Sequence, residues 1–106
     1  MTNEKMIELA AIAIEESEEC SLATEMRENG EYVADDYNSE GHYYMFVVRE
    51  LITWDEEGKP EYDYWYLDFH MNEDGSLEFY RQCLIDVDDP FYESIVESYE
   101  EEEDER

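Results

Sequence analysis

Carboxylates dominate the side chains that could do chemistry: 33 Asp and Glu stand against six Lys and Arg, with two His and two Cys. In such numbers they can serve proton transfer in pairs, cation binding in loops, or charge pairing with a basic partner. Proton transfer has no foothold. There is no GxSxG, no Gly-rich phosphate loop and no HExxH, and His42 and His70 lack partners at metal-ligand spacing. No catalytic residue is assigned, and the protein is not expected to be an enzyme. An EF-hand loop needs acids at positions 1, 3, 5 and 12 around Gly at position 6. Aligning Gly75 there puts His70 and Arg81 at the two ends, and aligning Gly58 puts Thr53 and Tyr64 there, so both turns fail. No metal and no cofactor is expected.

Charge pairing remains, and its candidate residues fall in four groups. Glu15, Glu16 and Glu19 lie on the polar side of a first helix, Asp35, Asp36 and Glu40 in a loop, and Asp55, Glu56 and Glu57 at a hairpin tip. The fourth group is a strand face with its flanks, Glu61, Tyr62, Asp63, Tyr64, Tyr66 and Asp68. It interleaves aromatic rings for Arg stacking with carboxylates for bidentate pairing, as an arginine-rich cleft requires. Acids one helical turn apart sit about 6 Å from each other, on the order of the spacing of successive phosphates on one strand. The formal net charge is −27. Two carboxylates at that separation repel by roughly 0.7 kcal/mol in water, so the bias carries a cost that calls for a reason. The expected partner is a basic nucleic-acid-binding protein; nucleic acid itself and anionic membrane are excluded by like charge. Oligomeric state is left open.

The elements that must position these groups can be read from patterning. With 42% apolar and 15% aromatic residues the chain is expected to fold rather than to remain disordered. Its 106 residues suit one α+β domain over 1–100, followed by a frayed acidic tail over 101–106. Thr2 or Asn3 caps a helix over Glu4 to Cys20, with Met6, Ile7, Leu9, Ala10, Ala13 and Ile14 on its apolar side and a restart near Ser21 before the Asn29-Gly30 stop. Residues 31–41 read mostly as loop, with room for a short strand at 32–34. A three-stranded antiparallel meander follows over His42–Asp55, Tyr62–Met71 and Ser76–Val87. Alternation points Trp65, Leu67, Phe69 and Met71 inward, with Leu77, Phe79, Cys83, Ile85 and Val87, and places Trp54 in the core. The first strand is apolar on both faces, so part of its second face is expected to be covered. The favoured registers put both Glu50 and Arg81 opposite Trp65 on the inner face. Asp89-Pro90 opens a last helix whose core stripe is Phe91, Ile95 and Tyr99.

The first apolar stretch, Met6 to Ile14, is short and flanked by Glu, so neither a signal peptide nor a membrane anchor is expected. Cys20 and Cys83 read as buried free thiols of a reducing compartment, and together these features place the protein in the cytoplasm.

In size, charge and helix-meander-helix layout the chain resembles the small acidic phage-type DNA-mimic proteins that block restriction or CRISPR enzymes. The resemblance implies a stoichiometric inhibitor that occupies the DNA site of a bacterial defence nuclease. Rival readings are an immunity-type inhibitor or antitoxin covering a nuclease toxin, an acidic chaperone of basic proteins, and an ordinary protein of a salt-loving cell. On the favoured reading the purified protein gives no mobility shift with duplex DNA at physiological salt; a clear shift contradicts it.

Overall fold

A computed structural model describes residues 3–17, 21–39 and 41–104. The order of elements is α1 (Asn3–Glu16), α2 (Ala23–Asn29), β1 (Glu31–Asn38), β2 (Gly41–Trp54), β3 (Pro60–Met71), β4 (Leu77–Leu84) and α3 (Tyr92–Asp104). The α+β class holds, but the meander has four strands in the order β1-β2-β3-β4, all antiparallel, instead of three. No helix among the described residues is long and apolar enough to cross a membrane.

The added strand, β1, occupies the segment read as loop. It is an edge strand carrying Asp35 and Asp36, and a bulge at Val33 breaks its alternation, so it forms through backbone pairing with β2 and not through apolar patterning. The helix restart falls where expected: α1 ends at Glu16 and α2 begins at Ala23, while Thr2 and Cys20 lie outside the described residues. α2 stops at Gly30, where an added Cβ would collide with Met26. Just before it, the Asn29 side chain donates to the Arg49 carbonyl at 2.9 Å and accepts from the Arg49 N–H at 2.8 Å, continuing the β1–β2 ladder with a side chain.

Two cores form, one on each face of the sheet. α1 and α2 lay Met6, Ala10, Ala13, Ile14, Leu22 and Met26 on Phe46, Val48, Leu67, Phe69 and Leu77. On the other face α3 covers Val47, Tyr64 and Ile85, with Tyr99 fully buried and its hydroxyl 3.0 Å from the Asn29 carbonyl and 3.3 Å from that of Val47. The expectation of a covered second face on β2 is met. α3 crosses the strands, starting beside Tyr66 and Tyr64 and ending over Val47. Asp89 Oδ1 accepts from the Phe91 N–H at 2.8 Å, and Phe91 therefore sits in the turn before the helix, out of phase with Ile95 and Tyr99 and exposed instead of buried. The helix runs on through 101–104 to Asp104, where glutamates, good helix formers, act against the unfavourable dipole.

Registers and inner faces differ from expectation through bulges. Val48, not Glu50, stands opposite Trp65, and Glu50 stands opposite Asp63, although Trp65 Nε1 still donates diagonally to Glu50 at 3.3 Å. In the next hairpin an extra residue, Tyr80, separates Phe79 (opposite Phe69) from Arg81 (opposite Asp68). This bulge turns Arg81 to the α3 face, away from Glu50, and swaps the remainder of β4. Cys83 is consequently exposed instead of buried, and Ile85 joins the α3 core. Val87, beyond the strand, is exposed. A second bulge at Ile52 lies where β2 leaves the body, and Ile52 and Trp54 are exposed instead of packed.

Arg81 is thereby freed to pair with Asp68, which is 3% exposed, at 2.6 Å. Asp68 Oδ1 is buried and accepts no hydrogen bond among the described residues, so the pair is asymmetric. Arg81→Ala strands a buried carboxylate and should cost about 3 kcal/mol, whereas Asp68→Ala releases a half-exposed cation to water and should cost about 1–2 kcal/mol. Urea unfolding of the two variants checks this order; a costlier Asp68→Ala contradicts it.

Candidate functional site

The molecule is elongated, 48 × 27 × 26 Å, because β2 and β3 outrun their neighbours. β1 pairs with β2 only as far as Val47, and β4 pairs with β3 only from Trp65 onward, which leaves residues 50–63 as a two-stranded arm. Its tip is a tight turn in which Asp55 N donates to the Lys59 carbonyl at 2.8 Å, with Gly58 at φ 82°. Asp55 Oδ1 accepts from the N–H groups of Glu57 and Lys59, both at 2.9 Å, so this carboxylate builds the turn. Glu56, Glu57 and Glu61 project outward. Beside them stands an exposed apolar group, Leu51, Ile52 and Trp54, the last 59% exposed. Leu51 and Trp54 face the side of the arm that carries their cross-strand partners Tyr62 and Pro60.

At the opposite end of the long axis lie both remaining hairpins. Asp35 pairs with His42 Nε2 at 2.6 Å, a hydrogen bond that holds its carboxyl below the usual range. His42 stacks on Tyr37 at 4.5 Å and its carbonyl accepts from His70 Nδ1 at 2.9 Å, so neither histidine is isolated. Asp36 accepts the Tyr37 N–H at 2.8 Å. In the β3–β4 turn Asp74 accepts from both the N–H and the hydroxyl of Ser76, which lowers its pKa.

The expected site residues do not converge on one patch. Glu15 is bound by Arg27, which also holds Glu8 at 3.1 Å, and Glu16 is exposed; Glu19 and Glu40 lie outside the described residues. The tyrosine face is corrected most strongly. Tyr64 is 6% exposed beneath α3 and meets Tyr92 edge-on, Tyr62 lies under the Arg49 guanidinium at 4.0 Å, and Tyr66 is half-buried and hydrogen-bonded to Asp89. Asp68 is consumed by Arg81, and Asp63 is half-buried. The face reads as outward in the strand pattern but is covered by a helix 30 residues further along the chain.

Sequence reasoning missed an acidic ridge on the outer side of α3. Glu93, Glu97 and Glu100 are exposed one turn apart, preceded by exposed Asp86 and Asp88. The signal was present: the helical phase applied to α1 places these acids opposite Ile95 and Tyr99. The described arginines are each engaged by neighbouring side chains, while Lys59 stands exposed at the tip. Arg27 grips two glutamates, Arg81 grips Asp68, and Arg49 packs on the rings of Tyr62 and Tyr99. Among the described residues no three His, Cys, Asp or Glu side chains cluster as a metal site. The arrangement is an acidic rod, charged at both ends and along α3, with exposed apolar side chains on its arm and elsewhere.

Comparison with protein-family models, curated proteins and solved structures finds no match for this chain.

The tip can be dissected. Asp55→Ala removes two turn hydrogen bonds and should cost about 1 kcal/mol, whereas Glu56→Lys with Glu57→Lys should leave stability unchanged or raised. Thermal unfolding distinguishes them; equal losses would mean that the tip carboxylates all serve the fold.

Proposed function

We propose that this protein is a DNA-mimic inhibitor: it binds the basic nucleic-acid site of a bacterial defence nuclease, a CRISPR effector or restriction enzyme, and blocks access of nucleic acid. The observation that carries the reading is linear charge density. Twenty-seven net negative charges along 48 Å amount to about one per 1.8 Å of the long axis, and duplex DNA carries one per about 1.7 Å. A cleft evolved for the duplex field therefore meets an equivalent field here. The engagement of Arg27, Arg49 and Arg81 by neighbouring side chains supports the same conclusion, since cations already paired within the fold leave most of the exposed carboxylates to a partner.

On this reading the protein performs no chemistry and acts in the host cytoplasm by occupancy. Each exposed ion pair contributes at most about 1 kcal/mol, so affinity comes from many contacts and falls with salt. The exposed Trp54 on the arm supplies a contact that phosphate cannot, and aromatic side chains of this kind anchor protein interfaces. The α3 ridge and the arm replace the tyrosine face as the surfaces expected to touch the nuclease.

The test is competition. Across a panel of bacterial restriction and CRISPR nucleases, fluorescence anisotropy with labelled duplex should show stoichiometric displacement by this protein for at least one target. That displacement should weaken steeply as salt rises. Saturating protein that leaves DNA binding intact across the panel would remove the reading.

A further inference from the structure

We propose that the outer edge of β4 pairs antiparallel with the β4 of a second copy of this chain, joining the two sheets through a contact centred on Cys83. The proposal goes beyond the inhibitor reading and does not depend on it. β4 closes the sheet on one side, and no other strand or loop among the described residues pairs with its outer edge. Hydrogen bonding fixes which groups look outward. Ile85 N donates to the Tyr64 carbonyl at 2.8 Å, so antiparallel alternation makes Cys83–Tyr66 and Arg81–Asp68 hydrogen-bonded pairs as well. Gln82 and Leu84, which lie between them, therefore turn their N–H and C=O groups away from β3. Beyond the bulge at Tyr80 the residues Arg81 to Leu84 keep unbroken register and are all exposed, which makes them an open template for a further strand. The opposite edge is blunted along its length by the bulge at Val33 and by Asp35 and Asp36.

Charge and register select the occupant. From Phe79 to Ile85, between Glu78 and Asp86, the chain has no Asp or Glu and one Arg, although 33 of its 106 residues are acidic. A basic partner would find no carboxylate on this stretch and would meet the half-exposed Arg81 instead. A second copy brings no carboxylate to the line of contact, and charges further off than about 8 Å are largely screened at physiological salt. Self-pairing is also geometrically matched. Setting Gln82 against Leu84 of the second copy, and Leu84 against its Gln82, gives every outward N–H an outward C=O. The same register sets Cys83 against Cys83 of the second copy in a non-hydrogen-bonded pair, where Cα atoms stand about 4.5 Å apart, within the span of a disulfide. The Leu84 side chains, 50% exposed in the single chain, become diagonal neighbours across the junction. Asp86 of each copy falls opposite Tyr80 of the other, next to its Arg81. The rest of the two acidic bodies still repel, so salt favours the pairing.

Sedimentation equilibrium of the full chain under reducing conditions tests this, with salt raised from about 0.1 to 1 M so that the Debye length falls from about 10 Å to about 3 Å. The average mass should climb towards twice that of the single chain. Gln82→Pro removes an outward N–H without touching a β3–β4 hydrogen bond, and Leu84→Glu puts a carboxylate on the line of contact. Each should weaken self-association about tenfold or more with an unchanged circular dichroism spectrum; should the proline disturb the strand, Leu84→Glu carries the comparison. Trp54→Ser, on the exposed arm, should change nothing. Diamide, which takes two electrons and two protons from a pair of thiols, should join two wild-type chains through Cys83, as peptide mass mapping reads, and should do so far more slowly in Leu84→Glu. A chain that stays monomeric at 1 M salt, a cross-link that maps to Cys20, or self-association that survives both edge substitutions or is lost in Trp54→Ser would overturn the edge assignment. None of these outcomes bears on displacement of DNA from a nuclease, which tests the inhibitor reading by itself.

Discussion

Repulsion among its own carboxylates is the constraint around which this fold is built. Every compact arrangement of a chain with a net charge of −27 brings like charges together, and the native state must supply apolar contact enough to hold them. One fully buried Phe or Leu contributes about 1.5–3 kcal/mol, whereas an exposed carboxylate pair costs well under 1 kcal/mol. A few additional buried side chains therefore offset many repulsive pairs. The β2–β3 hairpin provides them by being buried on two faces: Phe46, Val48, Leu67 and Phe69 under α1 and α2, and Val47 and Tyr64 under α3. A single-faced sheet of the same length would have half the means of resisting its own charge.

The cations follow the same logic. Three of the arginines serve as struts: Arg27 joins α2 to α1 at the surface, Arg81 holds the buried Asp68 across β3 and β4, and Arg49 packs between Tyr62 and Tyr99. These pairings stabilise the body while the net charge stays strongly negative. Fold and proposed activity thus draw on one distribution of charge, with the cations used for architecture and the anions kept for a partner.

Much of this architecture was legible in the sequence. The inner residues of β3, the apolar side of α1, the restart before α2 and both Gly-containing turns follow from period and turn chemistry, and they are where local preference and tertiary burial agree. The candidate site was legible as composition and only in part as place: the tip carboxylates Glu56 and Glu57 are open as expected, while Tyr64 and Asp68 are buried. What could not be read depends on long-range contact. Bulges at Val33, Ile52 and Tyr80 each insert one residue and swap faces beyond it, which reverses the side taken by Arg81 and Cys83. β1 forms because β2 offers it a free edge, and the tyrosine face is covered because α3 returns across it. Trp54 has the composition of a core residue but sits where β2 and β3 have outrun the other strands.

The most direct measurement of the central claim is the thermal unfolding midpoint of the purified protein as monovalent salt rises from about 0.01 to 0.5 M, over which the Debye length falls from about 30 Å to a few ångströms. If uncompensated surface repulsion is what the two cores hold in check, screening relieves it and the midpoint climbs steadily across the range. A midpoint that is flat or falling would mean that the carboxylates are already compensated within the fold, and the account of an outward polyanionic surface would be contradicted.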